Sequence, residues 1–317
     1  MDLSGLHLLL TYQCTLECDH CFVWGSPRQS GTMRLEHIER ILDEARSVET
    51  VKWIYFEGGE PFLYYPVLVR GVAEAAIRGF SVGVVTNGYW ATSREDAIEW
   101  LLPLAGKVAD LSISSDLYHW DQRIGEQARN ASEAAERLSI PAVLISIAPA
   151  ERSDAAPPRG QLVGGESGVM YHGRAAQKLA PIALKLRKPD APGSDWEAFE
   201  TCPHEDLREP GRLHVDPFGE VHVCHGISIG NLYETSLAEI CCAYDPDSHP
   251  VVGPLLAGGP AELARRYGVV QTGPYADACH LCDATRRSLR RRFPDVLRPG
   301  QMYGDAEEPG SGKTQPW

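Results

Sequence analysis

The stretch Cys14-Thr15-Leu16-Glu17-Cys18-Asp19-His20-Cys21 follows a short apolar run, Leu6 to Tyr12. Thiolate is the soft ligand that iron–sulfur clusters select, and gaps of three and two residues let one loop wrap one cluster. A four-iron cubane takes four ligands, so three cysteines leave one iron open to a small molecule. Zinc is the first competing reading, but it wants a fourth Cys or His close by. His20 is the candidate, and its place between Cys18 and Cys21 makes reaching the same ion cramped. Disulfides are the second competitor. No secretory signal precedes the motif, and the nine cysteines are an odd number.

The pattern continues past the loop. A helix is expected over about Arg34 to Val48, then a strand, Val51 to Phe56, running into Glu57-Gly58-Gly59-Glu60-Pro61. Paired glycines let backbone approach a ligand closely, and a carboxylate suits a cation. The next strand, Ser81 to Thr86, ends in Asn87-Gly88, and a fourth, Asp110 to Ser114, runs into Ser115-Asp116-Leu117-Tyr118-His119 and on to Arg123. By themselves Gly-Gly and Asn-Gly signal turns. Strands at 6–12, 51–56, 81–86, 109–114, 141–148 and 167–172 alternate with amphipathic helices such as Ala128 to Leu138, which implies a parallel sheet.

These motifs resemble those of the radical S-adenosylmethionine (SAM) enzymes: CxxxCxxC, then GGEP one β-α unit later, then a TNG-like strand end. The resemblance implies an α/β fold, a partial (β/α)6 TIM barrel with its site at the C-terminal strand ends. It implies that Cys14, Cys18 and Cys21 hold a 4Fe–4S cluster whose open iron is chelated by SAM. One-electron reduction then gives a 5′-deoxyadenosyl radical that abstracts hydrogen from substrate. Gly58, Gly59 and Glu60 would hold the SAM ammonium group, Asn87 would lie near SAM, and His20 takes the slot near the adenine. Ser114 and Arg123 would contact its ribose or carboxylate. His119 and His172 are substrate-contact candidates, and Arg174, in a glycine-arginine ending of the sixth strand, would with His172 face substrate or SAM, a solvent-facing strand end being the alternative.

The second half carries another thiol set: Cys202, then Cys224 after a hairpin turn at Asp216-Pro217-Phe218-Gly219, then Cys279 and Cys282. The order resembles the SPASM and twitch domains that add an auxiliary cluster to radical SAM enzymes. Only four cysteines match, so a small α+β twitch-like domain with one auxiliary 4Fe–4S cluster is expected. A structural zinc site suits four thiols equally well. Cys241 and Cys242 are left over and read as buried apolar residues.

The expected organisation is a radical SAM core over 1–187, the auxiliary domain over 195–298 and a disordered Gly-, Pro- and acid-rich tail over 299–317. Pro149 to Gly160 reads as a loop over the pocket, and Lys188 to Ser194 as the inter-domain break. The tail's Gly-Ser-Gly-Lys-Thr314 is no phosphate loop, lacking the first glycine and a flanking strand and helix. A net charge of −13 argues against broad nucleic-acid binding. The run Arg286-Arg287-Ser288-Leu289-Arg290-Arg291-Arg292 reads as a solvated helix face, with neutralisation of cluster electrons as its alternative. No eighteen-residue apolar run exists, so a soluble, cytoplasmic enzyme without a membrane span is expected.

Four thiolates would leave the auxiliary cluster no open iron, so its expected task is to accept an electron in a net oxidation, such as dehydrogenation or ring or crosslink formation. A redox-neutral epimerase or a peptide or protein maturase is the alternative. A non-catalytic iron–sulfur or zinc protein is the reading of another class. The expected partners are a small-molecule or peptide/protein substrate and a one-electron donor such as flavodoxin or ferredoxin. The first cluster motif begins at residue 14, which tilts expectation away from a leader-bound peptide.

Overall fold

The computed structural model describes residues 1–119, 122–150, 164–186 and 195–305. Its first half repeats a strand followed by a helix: β1 (Gly5–Thr11), α1 (Leu35–Ser47), β2 (Trp53–Gly58), α2 (Tyr65–Ile77), β3 (Ser81–Thr86), α3 (Arg94–Leu101), β4 (Val108–Ser114), α4 (Gln122–Arg137), β5 (Ala142–Ile147) and β6 (Gly165–Ser167). The helices form where apolar residues recur every three or four positions. In α1 these are Ile38, Ile41, Leu42 and Ala45, all buried against the sheet. β1 is buried along its whole length, as a central parallel strand covered on both faces must be. Two short helices, α5 (Arg174–Lys178) and α6 (Ala180–Leu186), close this half.

The second half brings β7 (Arg212–Val215), β8 (Glu220–Cys224), β9 (Ile227–Asn231), α7 (Leu237–Ala243), α8 (Val252–Tyr267) and α9 (Ala278–Leu289). All the strands join one nine-stranded sheet in the order β6-β5-β4-β3-β2-β1-β7-β8-β9. Neighbours from β6 to β7 are parallel, which is the sheet of a partial barrel. β8 and β9 then run antiparallel. The second half therefore continues the barrel sheet: β7 pairs with β1, Gly5 opposite Arg212 and His7 opposite His214. The Asp216–Gly219 turn forms as its sequence predicts, with Asp216 Oδ1 accepting from the Phe218 and Glu220 amides.

Three expectations change. The sixth strand ends at Ser167 rather than at residue 172, because the chain must turn to lay Gly173 against the backbone of Cys21 and Phe22. Residues 299–305 are folded rather than disordered: Gly300–Tyr303 forms a 3-10 helix, and Met302 and Tyr303 are buried. The arginine run is not a uniformly solvated face, since Arg286 is only 3% exposed. From residue 151 the expected pocket loop lies outside the described residues, as do the 188–194 break and the tail from 306. Among the described residues no helix is long and apolar enough to cross a membrane.

Candidate functional site

The loop carrying Cys14, Cys18 and Cys21 leaves the C-terminal end of β1. Its three sulfurs line one cavity with Gly58, Gly59, Asn87, Ser114 and His119. Backbone N–H groups point at the sulfurs: Leu16 donates to Cys14 Sγ at 3.4 Å and Gly25 to Cys21 Sγ at 3.2 Å. The Asn87 side-chain amide approaches Cys14 Sγ at 3.6 Å and bonds Thr15 Oγ1 at 3.1 Å. Burial pushes the Cys14 thiol up to about 12, with the Glu60 charge adding to it. It pushes Cys18 higher still, Cys21 and Cys14 adding to it. Such thiols ionise only against a strong local positive charge, which a metal centre supplies. N–H donors onto sulfur and a partly buried trio of thiols fit an iron–sulfur cluster.

Arg174 holds this loop in shape. Its guanidinium donates to Cys18 O at 2.7 Å and Gly25 O at 2.8 Å, its backbone N–H to Cys21 O at 2.9 Å, and Trp24 lies over it at 5.4 Å. Expected near substrate or SAM, Arg174 is buried and clamps the Cys14–Gly25 loop. His172, two residues earlier, lines the cavity and stacks on Phe22 at 5.7 Å. Burial, reinforced by the Arg286 charge, lowers its imidazole to about 4, so it is neutral at pH 7.

The Gly-Gly pair presses on the backbone just before Cys14. Gly59 N donates to Thr11 O at 2.6 Å and Glu60 N to Gln13 O at 2.9 Å. A Cβ on Gly59 would fall inside the carbonyls of Gln13 and Tyr12, so only glycine fits. Glu60 stands behind the wall rather than on it. Fully buried, its carboxylate accepts from Phe62 N at 3.0 Å, Thr86 Oγ1 at 2.9 Å and Asn87 N at 2.7 Å. Burial raises it to about 7 against those donors. Expected to grip an ammonium ion, Glu60 in this structure ties the Gly-Gly loop to the Asn87 loop through these three donors.

His20 and His119 converge on Asp116. His119 Nδ1 bonds Asp116 Oδ1 at 2.7 Å, and His20 Nε2 lies 3.3 Å from Oδ2. Burial would raise Asp116, but the two imidazoles hold it well below the usual carboxylate range. Both histidines are thus oriented by a carboxylate that the sequence reading did not single out. The Arg123 side chain lies outside the described residues.

A second group went unread in the sequence. Glu57 on β2 receives His7 Nδ1 from β1 and His214 Nδ1 from β7, each at 3.0 Å. All three line the same cavity. Burial would raise Glu57, yet the two imidazoles hold it well below the carboxylate range. Burial takes His214 down to about 4. Its ring also packs against His225, tilted by 50° with centroids 4.3 Å apart. The signal was the two-residue period: polar side chains at 7, 57 and 214 occupy inward positions of a barrel strand.

Cys202, Cys224, Cys279 and Cys282 line the opposite side of that cavity. Their charges act on one another: Cys224 feels Cys202 and Cys282, and Cys279 feels the other three. Cys202 is set by the bend in α8, where Gly259 at φ +62 packs on the Glu200–Thr201 backbone. Cys279 and Cys282 lie one turn apart on α9, capped by Asp277. Among the described residues, the groups tight enough for a single ion, with ligand atoms within 4.8 Å, are Cys18–His20–His119, His7–Glu57–His214 and His204–Asp277–Cys279. None of these brings two of the four C-terminal thiols together. Cys241 and Cys242 sit on α7, away from the cavity.

Residues 8–135 match the family described as the Radical SAM superfamily. The chain is 31% identical over 111 residues to the putative peptide biosynthesis protein YydG of Bacillus subtilis (strain 168), which is 35% of each chain. It is 38% identical over 84 residues to the tungsten-containing aldehyde ferredoxin oxidoreductase cofactor-modifying protein of Pyrococcus furiosus, covering 26% of this chain and 23% of that one. The match thus spans about a third or less of these relatives' length. Among solved structures, native anSMEcpe with bound AdoMet and Cp18Cys peptide aligns with a TM-score of 0.48 at 14% identity, over 92% of this chain and 97% of that one. The match to the Radical SAM superfamily over residues 8–135 takes in the three thiols, the Gly-Gly loop and the Asn87 strand end.

Proposed function

We propose that this chain reductively cleaves SAM at Cys14, Cys18 and Cys21 and abstracts hydrogen from a substrate held in the barrel lumen, with net oxidation served by an auxiliary 4Fe–4S cluster on Cys202, Cys224, Cys279 and Cys282. The superfamily implies a 4Fe–4S cluster and SAM; bound at the first three thiols, they would supply a 5′-deoxyadenosyl radical at the C-terminal end of the sheet. The observation that carries the reading is that both thiol sets line one cavity. Between them stand the inward side chains of His7, Glu57 and His214, polar groups suited to orienting a substrate rather than filling a core.

The thiol spacing favours a cluster over zinc in the second set. Thiolates on a tetrahedral zinc stand about 3.8 Å apart, from a Zn–S bond of about 2.3 Å. The C-terminal thiols influence one another without closing into such a group, as ligands on the corners of a larger cubane do. The similarity to proteins of peptide and cofactor modification makes a peptide or a small molecule the substrate class, with a one-electron donor as partner.

The test is metal content followed by SAM cleavage under anaerobic conditions. Reconstituted protein should hold about eight irons and eight sulfides, and the triple Ala variant of Cys14, Cys18 and Cys21 about half. With dithionite and SAM the wild type should release 5′-deoxyadenosine and methionine. Cys202→Ala should retain that release while losing the second cluster. Zinc in place of the second iron set, or no 5′-deoxyadenosine, would overturn the corresponding half of the proposal.

A further inference from the structure

Helix α9 presents Cys279, Cys282 and Arg286 at positions i, i+3 and i+7, one face of the helix. Arg286 is 3% exposed and lines the same cavity as the thiols. Its Nη1 donates to His225 O at 2.7 Å, the carbonyl next to Cys224. Its guanidinium hydrogen-bonds the Cys282 thiol, and its charge also reaches Cys224 and Cys202. Tyr303 packs on it at 5.8 Å from the folded C-terminal segment.

Arg286 lacks the usual partner of a buried cation. The nearby carboxylate, Asp283, receives Arg287 Nε at 2.6 Å and Gly173 N at 3.2 Å. Among the described residues no carboxylate lies within ion-pair distance of Arg286, and its Nε has no hydrogen-bond partner. A buried guanidinium without an ion-pair partner is strongly unfavourable. The groups acting on it are Tyr303, the Cys282 and Cys224 thiols and the Asp283 charge beyond ion-pair distance, and thiolates around a metal core are negatively charged.

We propose that Arg286 is the counter-ion of the second thiol set and raises the reduction potential of the cluster held there. The inference rests on the auxiliary-cluster reading. Reduction by one electron makes a four-thiolate cluster more negative, so a fixed cation in a low-dielectric site favours the reduced form. Arg286 is a positioning residue in this scheme: it makes the cluster an acceptor without touching substrate.

The test is an EPR-monitored redox titration of the reconstituted holoenzyme, with iron content measured on every sample. Arg286→Gln should shift the second cluster toward its oxidised form at least tenfold, about 59 mV downward for a one-electron couple. The first cluster, held by another loop, should keep its potential. Arg286→Lys, which keeps the charge, should stay nearer the wild type than Arg286→Gln does. A full iron complement with an unmoved potential in Arg286→Gln would overturn the inference. So would an equal drop in Arg286→Lys, because charge would then not be the cause. If Arg286→Gln fails to assemble the second cluster, the Lys variant decides: retention with a near-native potential supports the counter-ion, and loss there too refutes it. Wild-type protein with only one cluster would instead refute the auxiliary-cluster reading.

Discussion

Replacing Glu60 separates two roles that a carboxylate in this loop can play. In Glu60→Ala the amides of Phe62 and Asn87 lose their acceptor inside the protein. Thr86 Oγ1 also donates to Glu60, but its hydroxyl can rotate and already accepts from Gly88 N and Trp90 Nε1. Two orphaned backbone donors at about 1–3 kcal/mol each give a loss of roughly 2–6 kcal/mol. Water entering the small space left by the side chain places the expectation near about 3 kcal/mol. The local consequence is larger than the number suggests. Asn87, released from Glu60, also contacts Cys14 Sγ and Thr15, so the cluster loop loses a prop.

The assay pairs denaturant unfolding with calorimetric titration of SAM into the reconstituted protein, both anaerobic. Glu60→Ala should unfold at lower denaturant and bind SAM about tenfold more weakly, a change of about 1.4 kcal/mol. Glu60→Gln keeps one carbonyl acceptor and should hold SAM within about threefold of wild type, because a positioning role needs an acceptor and not a charge. A direct carboxylate–ammonium contact predicts the opposite, Gln failing as badly as Ala. Stability within about 1 kcal/mol of wild type in Glu60→Ala, or a Gln variant as weak as Ala, would refute the latch.

Two further outcomes follow from the same geometry. Gly59→Ala puts a methyl into the Gln13 and Tyr12 carbonyls, which are backbone and cannot swing aside; it should cost about 1–3 kcal/mol or more and lower iron retention at the first thiol set, and iron content equal to wild type would contradict it. Acid should destabilise the fold: His172 and His214 are lowered to about 4, so between their unfolded value of about 6.5 and 4 the unfolded chain binds protons that the folded one does not. Stability is then lost as pH falls through that window, by up to about 1.4 kcal/mol per pH unit for each histidine. Glu60, raised to about 7, opposes this, since the folded state holds its proton between about 4.5 and 7 and gains stability as pH falls. Glu60→Gln should therefore steepen the acid loss, measured as unfolding midpoint against pH; an unchanged slope would refute the assignment.

The sequence made legible what is contiguous in it. CxxxCxxC, the Gly-Gly pair and Asn87-Gly88 each sit within one loop, and the strand-to-helix alternation follows from apolar spacing. Groups assembled across strands were not legible. Glu57 is 50 residues from His7 and 157 from His214, and only the β2-β1-β7 pairing brings them together. Glu60 reads as part of its own loop, whereas its carboxylate also accepts from Thr86 at the end of the next strand and from Asn87 just beyond it. Arg286 was hidden by its neighbours: a run of arginines suggests solvent, yet helical periodicity from Cys279 and Cys282 already puts 286 on their face. The fold of Gly300–Tyr303 escaped composition because Tyr303 is held by Arg290 at 4.7 Å and by its hydroxyl on Gly226 O at 2.7 Å, contacts made across the chain.

The sheet itself sets how far apart the two thiol sets stand. The first loop leaves the C-terminal end of β1 after Thr11. On the other side, His222 of β8 pairs with His214, which pairs with His7 of β1. Cys224 lies two residues beyond His222, toward the N-terminal ends of β1 and β7. From His7 to Thr11 the strand rises about 13 Å, at about 3.3 Å per residue, and the His7–Glu57–His214 layer falls inside that interval. A one-residue slip between β1 and β7 would turn His214 out of the lumen and break its bond to Glu57, so burial of the barrel interior fixes the register. Packing of the sheet therefore holds the two ends of the lumen at one separation. The two thiol sets face one lumen only because β7 is a strand of the barrel sheet.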